Sequence, residues 1–243
     1  MQHVLSRLQQ VHQEKQKALA VLLDPDKLTS PQALQQMLLK VNDWSVDFIF
    51  VGGSLITEAN FHACVESIAQ QTEKPVVLFP GSPDQINEQA DALLFLSLIS
   101  GRNPDLLIGQ HVIAAPKLKH SALEVIPTGY MLVESGRLTT ALYVSQTLPL
   151  PANKPEIAAA TALAGQLLGL KLIYLDAGSG ADVPISPSMI EAVRNSVSLP
   201  IIVGGGIRSQ EQAQAAWNAG ADVVVMGTAL EQNPEALVQW NAR

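Results

Sequence analysis

Leu172-Ile173-Tyr174-Leu175-Asp176-Ala177-Gly178-Ser179-Gly180 is followed by Ile201-Ile202-Val203-Gly204-Gly205-Gly206-Ile207 and by Val223-Val224-Val225-Met226-Gly227-Thr228-Ala229. All three stretches run a short apolar segment into a glycine-rich turn. Apolar runs of this length, bounded by turn residues, read as parallel strands buried on both faces. The residues after Gly206 read as a helix. Glycine at a strand-to-helix turn lets backbone N–H groups approach an oxyanion closely. In a (β/α)8 barrel the phosphate site commonly forms in the loops after strands seven and eight. Each loop alone is an ordinary turn, and the three glycines of 204–206 can also serve close packing. All three together, on the last three strands, point to a bound phosphate.

Working outward, apolar runs alternate with helical patterns along the whole chain. Strands are expected at 19–23, 48–51, 76–79 and 92–97, within 124–133, and at 172–175, 200–203 and 222–226. Helices are expected at 1–17, after Ser30 and Pro31 as N-cap and first residue, and over about 58–71, 104–117 and 155–168. This rhythm predicts one α/β domain over 1–243, a (β/α)8 (TIM) barrel. Pro80-Gly81-Ser82-Pro83-Asp84 leaves little room for a helix after the third strand, and 136–153 is a long segment of the kind that often carries function.

The 243 residues approach the ~250 typical of such a barrel. A chain 47% hydrophobic but only 5% aromatic builds an aliphatic core. Net charge is -7 with no Lys/Arg-rich run, which argues against nucleic acid as a partner. The one cysteine, Cys64, allows no disulfide within the chain. No stretch approaches the ~18 apolar residues of a membrane span, and the amphipathic start lacks a signal-type apolar block, so a cytoplasmic protein is expected.

Four places carry candidate chemistry. Asp24, in Leu23-Asp24-Pro25-Asp26-Lys27, ends the first strand, where barrel carboxylates face the catalytic mouth; the same residues also make a plain turn. Ser54, in Val51-Gly52-Gly53-Ser54-Leu55-Ile56-Thr57, ends the second strand, with Thr57 a candidate helix N-cap. Asp24 and Ser54 are too few for a free metal site but enough for Mg²⁺ arriving on a diphosphate. Asp176 lies among the glycine loops, where a carboxylate suits a general base or caps the turn that follows it. Arg102, in Ser100-Gly101-Arg102-Asn103-Pro104, can clamp a diphosphate or stand in solvent beside Asn103 as N-cap. His111, Trp217 and Trp240 read as packing or surface residues.

LLDPDK, VGGSLIT, SGRNP, IPTGY, YLDAGSGA, VGGGI and VMGTAL, in this order and spacing, resemble the geranylgeranylglyceryl phosphate synthase family, which includes the bacterial heptaprenylglyceryl phosphate synthases. The resemblance runs from about Leu19 to Leu230. It implies a modified TIM barrel whose third helix is replaced by irregular structure. It also implies ether-bond formation between sn-glycerol 1-phosphate and a polyprenyl diphosphate, in ether-lipid biosynthesis. Carried over residue by residue, Asp24 and Ser54 would bind Mg²⁺. Tyr174, Leu175, Asp176, Ala177, Gly178, Ser179, Gly180, Gly205, Gly206, Gly227 and Thr228 would hold glycerol 1-phosphate. Asp176 stands where members often carry glutamate, so its carboxylate lies one methylene further back. Leu22, a lysine in some bacterial members, places the chain nearer the subgroup that uses geranylgeranyl diphosphate. The family further implies a homo-oligomer, and the product's tail implies transient membrane contact. Leu93, Phe95, Ile99, Tyr130 and Leu132 come from strands able to line a prenyl groove, but each reads first as ordinary core. A phosphosugar epimerase or isomerase, a flavin-binding barrel and a non-catalytic prenyl-phosphate binder are the competing readings.

Overall fold

The structure, a computed structural model, describes residues 3–28, 30–57 and 60–232. Eight parallel strands close into a barrel in chain order. They are β1 (Ala18–Leu23), β2 (Phe48–Val51), β3 (Val76–Leu78), β4 (Ala92–Leu98), β5 (Glu124–Leu132), β6 (Leu172–Asp176), β7 (Ile201–Gly204) and β8 (Val223–Met226). The helices are α1 (Val4–Gln13), α2 (Pro31–Asp43), α3 (Phe61–Gln70), α4 (Gln110–Lys119), α5 (Thr140–Ser145), α6 (Pro155–Leu167), α7 (Pro187–Arg194), α8 (Gln210–Asn218) and α9 (Thr228–Gln232). The expected barrel is therefore present. As the prolines and glycine of 80–84 require, only a three-residue 3₁₀ turn, Pro83–Gln85, stands between β3 and β4.

Strand residues alternate between two cores. Ala20, Phe48, Phe50, Val77, Leu94, Ile126, Tyr174, Ile202 and Val225 fill the interior, and Val4, Leu8 and Val11 of α1 join them. That spacing puts three apolar residues on one face of α1. The helix packs at the N-terminal end of the barrel. There the Val4 and Leu5 N–H groups donate to the Glu124 carboxylate at the start of β5. His12 Nδ1 lies 3.0 Å from Asp222, just before β8, and Arg194 donates to the same carboxylate at 3.1 Å. The other strand face packs on the helices: Leu93 and Phe95 of β4 point outward while Leu94 and Leu96 point in. With no helix after β3, that outward face of β4 is left for something else to cover.

Some boundaries differ from expectation. α3 starts at Phe61; Glu58, expected to open it, lies outside the described residues, as does Trp240. Thr57 caps no helix, because Asp26 captures both its N–H (2.8 Å) and its hydroxyl (2.9 Å). The helix expected from 104 begins as a π-helical turn, Asp105–Gly109, before α4. Segment 136–153 contains α5, capped by the Thr139 hydroxyl. α7 was not anticipated in the sequence pattern; Ser186 caps it and Pro187 opens it.

Candidate active site

Asp24 leaves β1 in extended conformation and accepts the Asp26 N–H at Oδ1 (3.2 Å), while Lys27 Nζ stands 3.5 Å from Oδ2. The Asp26 carboxylate, through Thr57, ties this turn to the loop after β2. The contact is close: a Cβ on Gly53 would lie 3.3 Å from Asp24 Oδ1. Buried Gln85 fastens the next loop, accepting from Gly81 N–H (2.9 Å) and donating to the Gly53 carbonyl (3.3 Å). Gly81 must be glycine here, since a Cβ would meet the Gly53 carbonyl at 2.5 Å. Asp24 and the Gly53-Ser54 turn are thus held side by side at the C-terminal mouth. One carboxylate and one hydroxyl match Mg²⁺ that brings diphosphate and water oxygens with it, not a free six-coordinate ion. Among the described residues, no three His, Cys, Asp or Glu side chains gather as a metal site.

Asp176 closes β6 and is only 6% exposed. Its Oδ1 accepts the Gly178 N–H at 2.7 Å, and its Oδ2 accepts the Tyr130 hydroxyl at 2.6 Å. Burial raises the carboxyl pKa; the Tyr130 and Gly178 hydrogen bonds favour the anion and oppose that shift without cancelling it. Tyr130 and Tyr174 are pushed well above the usual phenol value, first by burial and then by the Asp176 charge, so both stay protonated. Phe79 stacks on Tyr174 (4.9 Å between centroids, 17°), and Tyr130 stands edge-on to both at 5.6 and 5.7 Å. This aromatic layer is a floor under Asp176.

The glycine loops converge on the other side of that carboxylate. Gly205 has φ +81°, and a Cβ there would meet Ala177 N and Gly178 N at 2.7 Å and Asp176 Oδ1 at 2.8 Å. Gly178, Gly180 and Gly206 also have positive φ, the conformation that favours glycine. The Ala177 N–H is taken by the Gly204 carbonyl (3.1 Å) and the Gly178 N–H by Asp176. Ser179 Oγ and Thr228 Oγ1, 3.5 Å apart, bring the β6 and β8 loops together. Arg208 donates to the Ala181 and Asp182 carbonyls and so locks the β7 loop to the β6 loop. Leu175 is wholly buried in the outer core and Tyr174 in the inner, so Leu175 offers the mouth only backbone.

An apolar groove opens from Gly53 and Ser54 and from the Tyr130 ring, then runs along the uncovered face of β4. Leu93, Phe95, Leu98 and Leu132 line it, with Ile86 of the helix-free segment, Ala114 of α4 and Val144 of α5. Of the five strand residues that the sequence reads as ordinary core before groove lining, four line it. Ile99 instead turns toward Gly129 and Gly165. His111, expected on the surface or in packing, is half-buried edge-on to Phe95 (4.4 Å) and lines the groove.

Arg102 is exposed, and its guanidinium donates to the Gly101 carbonyl at 2.7 Å; no contact links it to Asp24, Ser54 or the glycine loops among the described residues. Asn103 caps the following turn through Asp105 N–H (3.1 Å). Asp26, Gln85, Arg208 and the Tyr130 hydroxyl escaped the sequence reading. Each acts through a partner more than 25 residues away, a distance that leaves no local pattern.

The PcrB family model matches residues 9–241. A geranylgeranylglyceryl phosphate synthase of Spirosoma linguale is 57% identical over 223 residues, covering 92% of this chain and 89% of its own. One from Thermococcus kodakarensis is 44% identical over 220 residues, covering 90% and 86%. The crystal structure of (S)-3-O-geranylgeranylglyceryl phosphate synthase from Thermoplasma acidophilum, in complex with its substrate sn-glycerol-1-phosphate, superposes with a TM-score of 0.91 at 32% identity. It covers 98% of this chain and 96% of its own. With its closed barrel, its glycine loops and its lateral groove, the chain belongs to the PcrB family of geranylgeranylglyceryl phosphate synthase-like prenyltransferases.

Proposed function

We propose that this prenyltransferase joins the geranylgeranyl group of its diphosphate to the 3-hydroxyl of sn-glycerol 1-phosphate, releasing diphosphate and forming an ether lipid precursor. The observation that carries this reading is the meeting of two unlike spaces at one residue pair. Glycine loops suited to a phosphate lie on one side of Asp176, and an apolar groove suited to a prenyl tail begins at Tyr130.

In this reading, since Gly204 and Asp176 already take the Ala177 and Gly178 N–H groups, the tips of the glycine loops, Ser179, Gly180, Gly205, Gly206, Gly227 and Thr228, hold glycerol 1-phosphate. Its hydroxyl is thereby fixed toward C1 of the donor, which supplies much of the acceleration. The C1–O bond breaks with its electron pair leaving on the diphosphate, and the glycerol oxygen bonds to C1. The hydroxyl proton passes to Asp176, whose carboxylate burial makes a stronger base than an exposed one. Tyr130 aims and steadies that carboxylate. Asp24 and Ser54 would hold Mg²⁺, which offsets charge on the departing diphosphate when bound. The tail lies against β4 where the third helix is missing.

No helix among the described residues is long and apolar enough to cross a membrane. Exposed apolar side chains on α4 (Val112, Ile113) and α6 (Leu163, Leu167) support assembly into a homo-oligomer through the barrel's flank. The test is transfer of labelled sn-glycerol 1-phosphate into an organic-extractable product with Mg²⁺ and farnesyl, geranylgeranyl or heptaprenyl diphosphate. Product chiefly from the geranylgeranyl donor is expected; no product from any donor refutes the reading.

A further inference from the structure

Guanidinium groups take three consecutive carbonyls of the loop after β6, those of Gly180, Ala181 and Asp182. Arg137, from the segment after β5, donates to the Gly180 carbonyl at 3.3 Å. Arg208, from the loop after β7, donates through Nη2 to the Ala181 carbonyl and through Nη1 to the Asp182 carbonyl at 3.3 Å. The same Nη1 reaches the Gly206 carbonyl at 3.5 Å, so one guanidinium spans the β6 and β7 loops. The loops meet there closely: a Cβ on Gly206 would lie 3.0 Å from Pro184 N. Arg208 is anchored in turn, because its backbone N–H donates to the Gln212 side chain of α8 at 2.7 Å.

Water alone satisfies the carbonyls of an exposed loop, so satisfying them does not require arginine. The loop does contain Gly178 and Gly180 at positive φ, and glycine has the most backbone freedom to lose. A ligand that must order a loose loop binds more weakly by the cost of that ordering; a loop held in advance avoids it. Arginine suits the task, since its planar and always-charged fork bonds several oxygens in one fixed geometry. Arg137 also stands 3.8 Å from the Asp182 carboxylate, but an exposed pair of that kind adds little, which leaves its bond to the Gly180 carbonyl.

We infer that Arg208, assisted by Arg137, is a positioning residue for the acceptor: it sets the Ser179-Gly180 tip against Gly205 and Gly206 before glycerol 1-phosphate arrives. The inference rests on the glycerol 1-phosphate reading. Both guanidinium groups act through the backbone they hold.

The test uses Arg208→Ala and Arg208→Lys. Arg208 is exposed, so both variants should fold, which melting curves check. By calorimetry the alanine variant should bind glycerol 1-phosphate about tenfold more weakly than the wild type. The lysine variant, which keeps the charge but loses the fork, should bind it about threefold more weakly. KM for geranylgeranyl diphosphate should change little in either. Amide hydrogen exchange across 178–183, measured without ligand, should quicken in the alanine variant. Wild-type acceptor affinity in the alanine variant overturns the proposal, as does a donor KM that rises as much as the acceptor Kd, which marks general loosening of the mouth. Wild-type affinity in the lysine variant assigns the effect to charge and overturns the clasp. Unchanged exchange overturns it whatever the ligand is. Failure of the wild-type chain to bind glycerol 1-phosphate, with exchange still quickened by the substitution, refutes the acceptor reading instead.

Discussion

The Tyr130 hydroxyl donates to Asp176 Oδ2 at 2.6 Å, joining the mouth of the apolar groove to the glycine loops across 46 positions of sequence. β5 and β6 pair in a register that sets Tyr130 against Tyr174 and Leu132 against Asp176, so the phenol reaches diagonally to the carboxylate. The bond favours the ionised form of a carboxyl that burial otherwise holds above its usual range.

Tyr130→Phe removes that support, so the Asp176 pKa rises further. The acid limb of the pH–rate profile should move to higher pH, with about a tenfold loss of rate near neutrality, in line with one hydrogen bond to a charged group. A profile superimposable on the wild type's would show that the phenol does not tune Asp176.

Asp176→Asn should retain glycerol 1-phosphate binding, measured calorimetrically, while turnover drops by about 10²–10⁴. It should also melt higher than the wild type at neutral pH. A carboxyl with a raised folded-state pKa destabilises the fold progressively as pH climbs from its unfolded value to its folded value, and fully above both. The advantage should therefore vanish in acid, where both forms are uncharged. Unchanged turnover would remove Asp176 as the base.

Gly205→Ala puts a Cβ 2.7 Å from two backbone nitrogens at φ +81°. Loss of about 1–2 kcal/mol of stability by denaturant titration is expected, with KM for glycerol 1-phosphate raised and KM for the prenyl donor little changed. Equal effects on both KM values would mean that the loop does not hold the acceptor selectively.

Ala114→Phe fills the groove from α4, opposite Leu93 and Phe95. Geranylgeranyl transfer should fall about tenfold or more while farnesyl transfer persists. A uniform loss across donors would point to misfolding or to a tail bound elsewhere.

The barrel was legible in the sequence because its strands are buried on both faces and read as unbroken aliphatic runs between turn residues. Asp176 and the glycine loops were legible because each is a short local stretch directly after an apolar run. Tyr130 as a partner of Asp176, Asp26 as the anchor of Thr57 and Gln85 as the clasp on Gly53 were not, because each depends on strand register or loop approach set by closure of the barrel. Thr57 has the composition of a helix cap, and a carboxylate 31 residues earlier takes its bonds instead. Phe95 and Leu93 look like ordinary core until the missing helix between β3 and β4 leaves their face open.

Acceptor stereochemistry tests the central claim most directly. Geranylgeranyl diphosphate and Mg²⁺ would be incubated with labelled sn-glycerol 1-phosphate or with its mirror image, sn-glycerol 3-phosphate. A fixed glycine cradle with Asp176 on one side presents the hydroxyl of only one enantiomer to the donor, so extractable product is expected from the 1-phosphate and about none from the 3-phosphate. Product from both at similar rates, or from the 3-phosphate alone, would contradict it.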